Sequence, residues 1–398
     1  MRVLLLASYF PKPGNALMGT WALDQGQALR RCGATVEVIS LTPWIPSWPG
    51  QSGTLRAYAS CPPSSEWDGL CVHYPRWLVY PVTQFERNLR RNPQQWLSAA
   101  WFFCGSAVTT IARNFRPDVI LAHHTSVNGW VAMKLARVLA VPYFTQDHAQ
   151  WEIAACSTNA NLRRLYHEVA ASAAGMLAVS KQMAVDLQAA CPDGRVFRIP
   201  NGTKLPSDQA EASASSRAPV AFSAGMLIQY KGFDLLLRAW KHVHAQHPEA
   251  RLRIAGDGPD RAQLLRLRDE LGLTSTVEFL GYLPQAEVQS EMAAARLFVL
   301  ASWNETFGVV FLEAAACATP CIWARNAGVA DVLEEGVHGL AIPPRDPDAL
   351  AIAISSLLAD PERAAALGQA AARHVEAHLT WDAVARQLLN RFSAVITP

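Results

Sequence analysis

The strongest constraint on the fold is a repeated alternation of short apolar runs with helical stretches along the whole chain. The first run, residues 3–8, is continuously apolar and leads into a Pro/Gly loop, which is typical of a strand buried on both faces. A helical stretch at 20–31 ends before Gly33, and a second apolar run follows at 35–41. This order predicts a parallel sheet made of βαβ units.

The alternation of strand-like and helical segments continues through the rest of the first half of the chain. Four further segments have the composition of buried strands and are separated by helical spacing: 119–122, 143–145, 175–180 and 196–199. Between about 43 and 95 the chain is rich in Pro and Trp, and its pattern does not order the elements. The sequence therefore predicts a first α/β domain over residues 1–205, with an irregular stretch between about 43 and 95.

A polar segment separates this series from a second one. Residues 206–218 contain almost no large apolar side chain and are predicted to be a linker. After it, strand-like runs alternate with helical stretches again, which predicts a second doubly wound domain over 219–380. Two such domains bind ligands at the carboxyl ends of their strands, so we expect the functional site in a cleft between them.

The two halves differ in charge. Residues 1–205 contain 19 Lys/Arg and 11 Asp/Glu, an excess of 8 positive charges, and nine of the 13 Trp. Residues 206–398 contain 16 Lys/Arg and 22 Asp/Glu, an excess of 6 negative charges. We expect the halves to have different partners, and the basic half suits an anionic membrane surface or a phosphate-bearing lipid. Lys and Arg are not clustered as in a nucleic-acid binder.

The cysteines and the longest uncharged segment bear on whether the protein is cytoplasmic and whether it spans a membrane. The eight cysteines include no CxxC pair, which favours thiols in a reducing cytoplasm over a zinc site. Residues 92–112 lack charge but contain several polar side chains, which favours a core or interfacial helix over a membrane span. The basic cluster at 87–91 beside aromatic residues has the composition of a membrane-surface contact, or of a solvated turn.

The densest group of candidate site residues lies between Ser302 and Pro320. Glu305 stands on a predicted strand-to-helix loop, Glu313 lies within the predicted helix, and residues 307–309 begin that helix. The unpaired N–H groups and the positive dipole end of a helix N-terminus suit a diphosphate. Two carboxylates here can accept hydrogen bonds from sugar hydroxyls. The alternative is an ordinary helix start whose acidic residues are favoured by the dipole.

Other motifs surround this group in a fixed order. Gly225 and Lys231 stand on the loop after the first strand of the second domain, and Gly256 follows the next strand. A Thr-Pro turn at 319–320 and the stretches 327–331 and 339–343 come after the two Glu. Together these motifs resemble the retaining glycosyltransferases of family 4, the group 1 glycosyltransferases. That family has the GT-B fold, in which two doubly wound Rossmann-like domains face each other across a cleft.

The resemblance implies roles for residues of the second domain. Glu313 matches the family's residue that holds the ribose of the donor nucleotide, and Glu305 matches the one that contacts the transferred sugar. Lys231 matches the lysine that neutralises the donor diphosphate. The remaining implied donor-binding residues are Gly225, Gly256, Phe307, Gly308 and Val309.

In the first domain the resemblance covers a glycine-bearing loop and two strand ends. Gly19 matches the glycine that approaches the donor phosphates, and His123 matches the family's active-site His. His124 and His148 are implied to lie on the acceptor side. The resemblance also implies that a C-terminal helix at about 381–398 packs back on the first domain.

Two departures from the family pattern bear on donor binding. The family usually has Arg directly after the glycine of the lysine loop, and this chain has Met226. A charged hydrogen bond is worth about 1.5–3 kcal/mol, so its loss weakens the affinity for the donor unless another cation substitutes. The Gly-Gly-x-Pro-Glu stretch of the family is altered at 327–331.

These observations predict a retaining, metal-independent glycosyltransferase with Glu305, His123 and Lys231 as catalytic residues. No DxD-type cluster is present to hold a divalent ion, no cofactor is expected, and the donor is a UDP or GDP sugar. The alternative is a non-catalytic GT-B protein that binds a partner enzyme or a glycan, for which Met226 is the best argument. A nicotinamide-dependent oxidoreductase is excluded because no G-x-G-x-x-G follows the first strand.

The N-terminal pattern at 19–33 resembles bacterial transferases of exopolysaccharide and teichuronic-type assembly. It implies a saccharide or lipid-linked saccharide acceptor in cell-surface polysaccharide biosynthesis. A cytoplasmic protein, peripheral at the inner face of the cytoplasmic membrane through its basic first domain, is the expected location.

Overall fold

The chain divides into two compact α/β units, and each is described by itself. The first unit is Met1–Ile199 with Val384–Pro398, and the second is Pro200–Ala383. The structure, a computed structural model, describes residues 1–48, 53–77, 91–206 and 217–396. Most of the basic cluster predicted at 87–91 and of the linker predicted at 206–218 therefore lies outside the described residues.

The first unit is built on a sheet of eight strands in the order β10-β9-β8-β7-β1-β2-β5-β4, and β3 pairs with β6 separately. Neighbouring strands are parallel throughout, except that β4 runs antiparallel to β5. The strands are β1 (Arg2–Leu6), β2 (Thr35–Ile39), β3 (Thr42–Pro43), β4 (Ser64–Trp67), β5 (Leu70–His73), β6 (Arg76–Trp77), β7 (Val119–His123), β8 (Tyr143–Asp147), β9 (Gly175–Ala178) and β10 (Val196–Arg198).

Helices connect the strands of the first unit, and all five residues of both β7 and β8 are buried beneath them. This complete burial is why these strands have no apolar–polar alternation in the sequence. The helices are α1 (Thr20–Arg31), α2 (Gly53–Ala59), α3 (Pro93–Phe115), α4 (Val127–Leu139), α5 (Gln150–Ala155), α6 (Ala160–Ala170) and α7 (Lys181–Ala190).

The second unit has six parallel strands in the order β13-β12-β11-β14-β15-β16. The strands are β11 (Val220–Ala224), β12 (Arg251–Ala255), β13 (Val277–Gly281), β14 (Leu297–Leu300), β15 (Cys321–Ala324) and β16 (Gly339–Ile342). The helices are α8 (Phe233–Gln246), α9 (Arg261–Glu270), α10 (Gln285–Ala294), α11 (Val309–Ala316), α12 (Pro347–Ala359), α13 (Pro361–His378) and α14 (Trp381–Ile396).

The last helix ends in the first unit, to which Val384 and the residues after it belong. The ring of Phe392 lies 5.0 Å from the ring of Phe144 on β8. The Arg391 guanidinium lies 4.0 Å from the centre of the Phe197 ring on β10. These contacts join the end of the chain to the sheet of the first unit.

Both sheets are doubly wound, which confirms the predicted fold class. In the first sheet the strand order reverses between β1 and β7, and in the second it reverses between β11 and β14. Adjacent loops leave in opposite directions at such a switch point, and they leave a crevice at the carboxyl ends of the two strands. In the first unit, the loop after β1 carries Gly19 and strand β7 ends at His123. In the second unit, the loops after β11 and β14 carry Lys231 and Glu305.

The segment that leads into the second unit is anchored at its end by Arg217. This side chain is buried and donates hydrogen bonds to Cys317 O at 2.9 Å, to Ala318 O at 3.1 Å and to Thr319 Oγ1 at 2.8 Å. Arg217 is thus part of the core of the second unit rather than a solvated linker residue.

The uncharged stretch at 92–112 forms most of α3, as the sequence predicted. Within the described residues, no helix is long and apolar enough to cross a bilayer. None of the eight cysteines, all of which the structure describes, forms a disulfide.

Candidate functional site

The candidate donor site of the second unit centres on an ion pair. Lys231 ends a short 3₁₀ turn, Gln229–Lys231, after β11, and Glu305 lies on the loop after β14. The ammonium nitrogen of Lys231 donates a hydrogen bond to Glu305 Oε2 at 2.5 Å. The two side chains are 17% and 13% exposed, so the surrounding protein screens their attraction less than water would.

Backbone contacts fix the two loops that carry this pair. The Tyr230 carbonyl accepts hydrogen bonds from Trp303 N at 3.1 Å and from Ser302 Oγ at 3.2 Å. On the other side, the Glu305 carbonyl accepts from Gly328 N at 3.0 Å. The residues that flank Lys231 and Glu305 are therefore held by the main chain, and the pair does not depend on its own attraction for its position.

Helix α11 begins beside Glu305 without a capping side chain. Its N-cap, Gly308, has φ 91°, and no side chain accepts from the N–H groups of the first turn. A Cβ at Gly308 would lie 2.7 Å from the Phe311 ring and 3.1 Å from Glu305 Cγ, so only glycine fits. Phe311 N donates to the Gly308 carbonyl at 3.0 Å, and the first-turn N–H groups before it, with the positive dipole end, suit an anion.

The other donor-site candidates lie on the same edge of the second sheet. Phe307 is buried directly before Gly308, and Glu313 is half-buried within α11. Gly225 and Gly256 directly follow β11 and β12, which are adjacent strands, and Gly225 N donates to the Ala255 carbonyl at 3.1 Å. Val309 is the first residue of α11.

Met226 occupies the position of the family's arginine and is 60% exposed. A thioether is at most a weak hydrogen-bond acceptor and has no charge to offer a phosphate. Lys231 is therefore the cation that this loop provides.

In the first unit, His123 at the end of β7 is buried and is hydrogen-bonded to the side-chain amide of Gln25, which is in turn bonded to that of Gln146. Its Nε2 lies 2.6 Å from Gln25 Oε1, and Gln25 Nε2 donates to Gln146 Oε1 at 2.9 Å. An amide oxygen only accepts, so Nε2 carries the proton and Nδ1 keeps its lone pair. Within the described part of the chain, Nδ1 is buried without a hydrogen-bond partner.

Burial also keeps this imidazole neutral. Desolvation, with a further contribution from His124, lowers the pKa of His123 from 6.5 to about 3. A neutral ring whose proton sits on Nε2 presents a hydrogen-bond acceptor at Nδ1. It can accept a hydrogen bond at Nδ1, and it does not act as an acid near pH 7.

The three candidate histidines lie around the side chain of Trp21. The ring centre of Trp21 lies 4.9 Å from that of His123, with 16° between the planes, and 4.2 Å from that of His148. His124 is farther, at 6.4 Å from Trp21 and 5.9 Å from His148. The structure thus collects His123, His124 and His148 around one aromatic side chain.

Asp147, a buried carboxyl group, lies next to His124, the half-buried member of this cluster. Burial lowers the pKa of His124 and raises the pKa of Asp147. Thr125 satisfies the carboxylate through its N at 3.0 Å and its Oγ1 at 2.6 Å. His124, Asp147 and Glu152 offer ligand atoms within 4.8 Å of one another, but Ser126 Oγ already donates to Glu152 Oε2 at 2.9 Å. The expectation that no metal ion takes part stays a prediction.

Gly19 has a structural reason to be glycine. It is the N-cap of α1 with φ 66°, and a Cβ there would lie 2.2 Å from the Tyr9 carbonyl oxygen. This close approach of two backbone segments lets the loop after β1 close onto the start of α1.

Two residues beside His123 were missed by the sequence reasoning, although the motif at 19–33 contains them. Trp21 and Gln25 stand four positions apart on α1, so they share one face of the helix. Gln25 is fully buried, which is unusual for its residue type. The spacing was visible in the sequence, whereas the contact with His123, 98 positions away from Gln25, was not.

Family models match both units. Residues 207–374 match the model of the glycosyl transferases group 1, and residues 18–202 match that of the glycosyl transferase 4-like domain. The two models together cover the regions in which the sequence motifs were found.

Curated relatives match parts of the chain. A D-inositol 3-phosphate glycosyltransferase of Frankia alni is 30% identical over 313 residues, which are 71% of this chain and 75% of that protein. A GDP-mannose-dependent alpha-(1-6)-phosphatidylinositol monomannoside mannosyltransferase of Mycolicibacterium smegmatis is 34% identical over 163 residues, 39% of this chain and 42% of that protein. Over three relatives the match spans 42–50% of the relative's own length.

A solved structure is similar along its whole length. Sucrose-phosphate synthase from Thermosynechococcus elongatus superposes with a TM-score of 0.76 over 99% of both chains, at 22% sequence identity. At this identity the likeness establishes the GT-B fold alone. The two family models and the Frankia relative show that this chain belongs to family 4 of the glycosyltransferases, the group 1 glycosyltransferases.

Proposed function

We propose that the chain transfers a sugar, with retention of anomeric configuration, from a nucleotide-diphosphate donor to a saccharide or lipid-linked saccharide acceptor. The observation that carries the proposal is the Lys231–Glu305 ion pair at the switch point of the second sheet, beside the uncapped N-terminus of α11. A cation, a carboxylate and a helix N-terminus at one place suit a sugar diphosphate.

Lys231 and Glu305 have capacity left for a ligand. The ammonium group has three N–H donors, and one of them is used by Glu305 Oε2. The others can bind diphosphate oxygens, whose negative charge grows as the bond to the sugar breaks. Glu305 can accept a hydrogen bond from a hydroxyl of the transferred sugar through its second oxygen. Glu313, farther along α11, is proposed to hold the ribose of the donor.

The first unit is proposed to supply neutral acceptors of hydrogen bonds. His123 offers Nδ1 to a hydroxyl of the sugar, because Gln25 engages Nε2. His124 and His148 are proposed to lie towards the acceptor. No metal ion or cofactor is required in this scheme, since Lys231 and the start of α11 stabilise the leaving diphosphate.

The donor is proposed to be a UDP or GDP sugar and the acceptor to be lipid-linked. The name of the mycolicibacterial relative, a GDP-mannose-dependent enzyme acting on a phosphatidylinositol mannoside, supports both choices. The excess of 8 positive charges in residues 1–205 supports a peripheral location at the inner face of the cytoplasmic membrane. A place in cell-surface polysaccharide biosynthesis fits such an acceptor.

Calorimetry followed by a donor screen tests the proposal. Purified protein is titrated with UDP and with GDP, and hydrolysis of nucleotide sugars is then measured in EDTA. We expect one nucleotide to bind, its sugar to be hydrolysed without metal, and the released sugar to have the anomeric configuration of the donor when followed by NMR. Inversion of the anomer, or hydrolysis only after a divalent ion is added, contradicts the proposal.

The exposed Met226 favours the second candidate, a non-catalytic protein that binds a partner enzyme or a glycan. If neither UDP nor GDP binds, this candidate is preferred. The nucleotide affinity of the Met226→Arg variant distinguishes a donor site that binds weakly from a protein without a donor site. Arg adds a charged donor worth about 1.5–3 kcal/mol, so nucleotide affinity should rise about tenfold or more if the site is a donor site.

A further inference from the structure

Helix α3 exposes aromatic side chains on its outer face. Phe102 is 83% exposed, Phe103 is 66% exposed, and Trp96, about two turns earlier, is 40% exposed. The two Phe rings contact each other at 5.4 Å between their centres. Adjacent large apolar side chains that are exposed on a regular helix are typical of a surface that contacts a membrane or another protein.

The remainder of this face carries no charge. Its other exposed residues are Gln95, Ser98, Ala99, Ser106, Ala107 and Thr110. The opposite side of α3 is buried in the first unit through Leu97, Ala100, Cys104, Val108, Ala112 and Phe115. The helix therefore has one side in the protein core and, on its other side, about four turns of uncharged surface.

Positive charge borders this face at both ends of the helix. Arg91 precedes α3, Arg113 lies in its last turn and Arg116 follows it, and all three are exposed. Residues 87–117 contain five Arg and no Asp or Glu. Guanidinium groups at the rim of an apolar face match the headgroups of anionic lipids.

We propose that α3 docks the protein on an anionic bilayer, with Phe102 and Phe103 inserted among the lipid chains. The proposal rests on the proposed function for its membrane-bound acceptor, and it names the surface that meets the membrane. A second copy of this chain fits the face less well, because pairing two such faces brings like-charged guanidinium groups together. Since its inner side is core, α3 lies along the bilayer surface and does not enter it end-on.

Vesicle sedimentation tests this docking. The full chain is mixed with phosphatidylcholine vesicles with and without anionic phosphatidylglycerol. Its oligomeric state is measured by light scattering. The variant is Phe102→Ser with Phe103→Ser. The matched control is Ile352→Ser, an equally exposed apolar residue at 71% on α12 of the second unit.

We expect the wild type and the Ile352→Ser control to sediment with the anionic vesicles and the double variant to lose about tenfold or more of its partitioning. UDP and GDP affinity should be equal in all three, so a failed donor site and a failed membrane site give different results. The proposal is overturned if the double variant sediments with anionic vesicles as much as the wild type does. It is also overturned if the wild type does not bind anionic vesicles. A wild-type dimer that the double variant converts to a monomer assigns the face to a second copy instead.

Discussion

The ammonium nitrogen of Lys231 lies 2.5 Å from Oε2 of Glu305, 74 positions away along the chain. The contact exists because β11 and β14 are neighbours in the sheet although two strands and three helices separate them in sequence. Each side chain is mostly buried, so each charge depends on the other for its environment. The two residues are therefore expected to act as one unit.

Removing either member of this pair should abolish most of the transfer activity. We expect Lys231→Met and Glu305→Gln each to lower kcat about 100-fold or more, because each removes stabilisation of charge that develops in the transition state. The double variant should lose much less than the product of the two effects, since the residues are in contact. Lys241→Met, at an exposed position on α8, is the control. Full activity in either single variant would refute the assigned roles.

Gly308→Ala should damage donor binding beyond its effect on stability. The added methyl meets the Phe311 ring and crowds Glu305 Cγ, and it places Ala at φ 91°. Gly272→Ala is a matched control, because Gly272 also has positive φ, 74°, with nothing near its Cβ. Both should lose about 1–2 kcal/mol of unfolding free energy from the left-handed backbone. Only Gly308→Ala should weaken nucleotide binding by calorimetry, and equal affinities in the two variants would show that α11 is not at the donor site.

Gln25 should determine which nitrogen of His123 is protonated. Nitrogen-15 NMR of labelled protein is expected to show a neutral ring with its proton on Nε2 at pH 7, because Gln25 Oε1 accepts from that atom. Gln25→Glu places a carboxylate there and should raise the pKa of His123 by about 1 unit or more. Gln27→Glu is the control, since Gln27 lies on the same helix and bonds Asp68 instead. A proton on Nδ1 in the wild type would contradict the inference.

Stability should fall as the solution is acidified below pH 6.5. His123 takes up a proton near pH 6.5 when unfolded but only near pH 3 when folded, because burial lowers its pKa. The unfolded state thus binds more protons between these values, which costs up to about 1.4 kcal/mol of unfolding free energy per pH unit. His123→Asn removes this group, so its unfolding free energy from urea curves at pH 4–7 should decline less steeply than that of the wild type. Parallel declines would show that His123 is not buried neutral.

Much of the fold could be predicted from local patterns. The helix at Thr20–Arg31 has the bounds that the sequence indicated, and the predicted strands at 119–122 and 143–145 form the first residues of β7 and β8. Buried strands between helices are marked by continuous apolar runs, and that signal needs no knowledge of distant residues. The region after residue 43 could not be ordered, because its short strands β3 and β6 are defined by pairing with each other rather than by their own composition.

The sequence by itself determined two doubly wound α/β series, their family and the positions of the two Glu, the Lys and the histidines at strand ends. Only the tertiary structure decided which of these side chains meet. In the folded chain Lys231 pairs with Glu305, and the Trp21 ring stacks on the His123 ring. The side-chain amide of Gln25 is hydrogen-bonded to that of Gln146. The reason is physical: hydrophobic spacing reports which face of an element is buried, whereas contacts between distant residues follow from strand order, which local spacing does not contain.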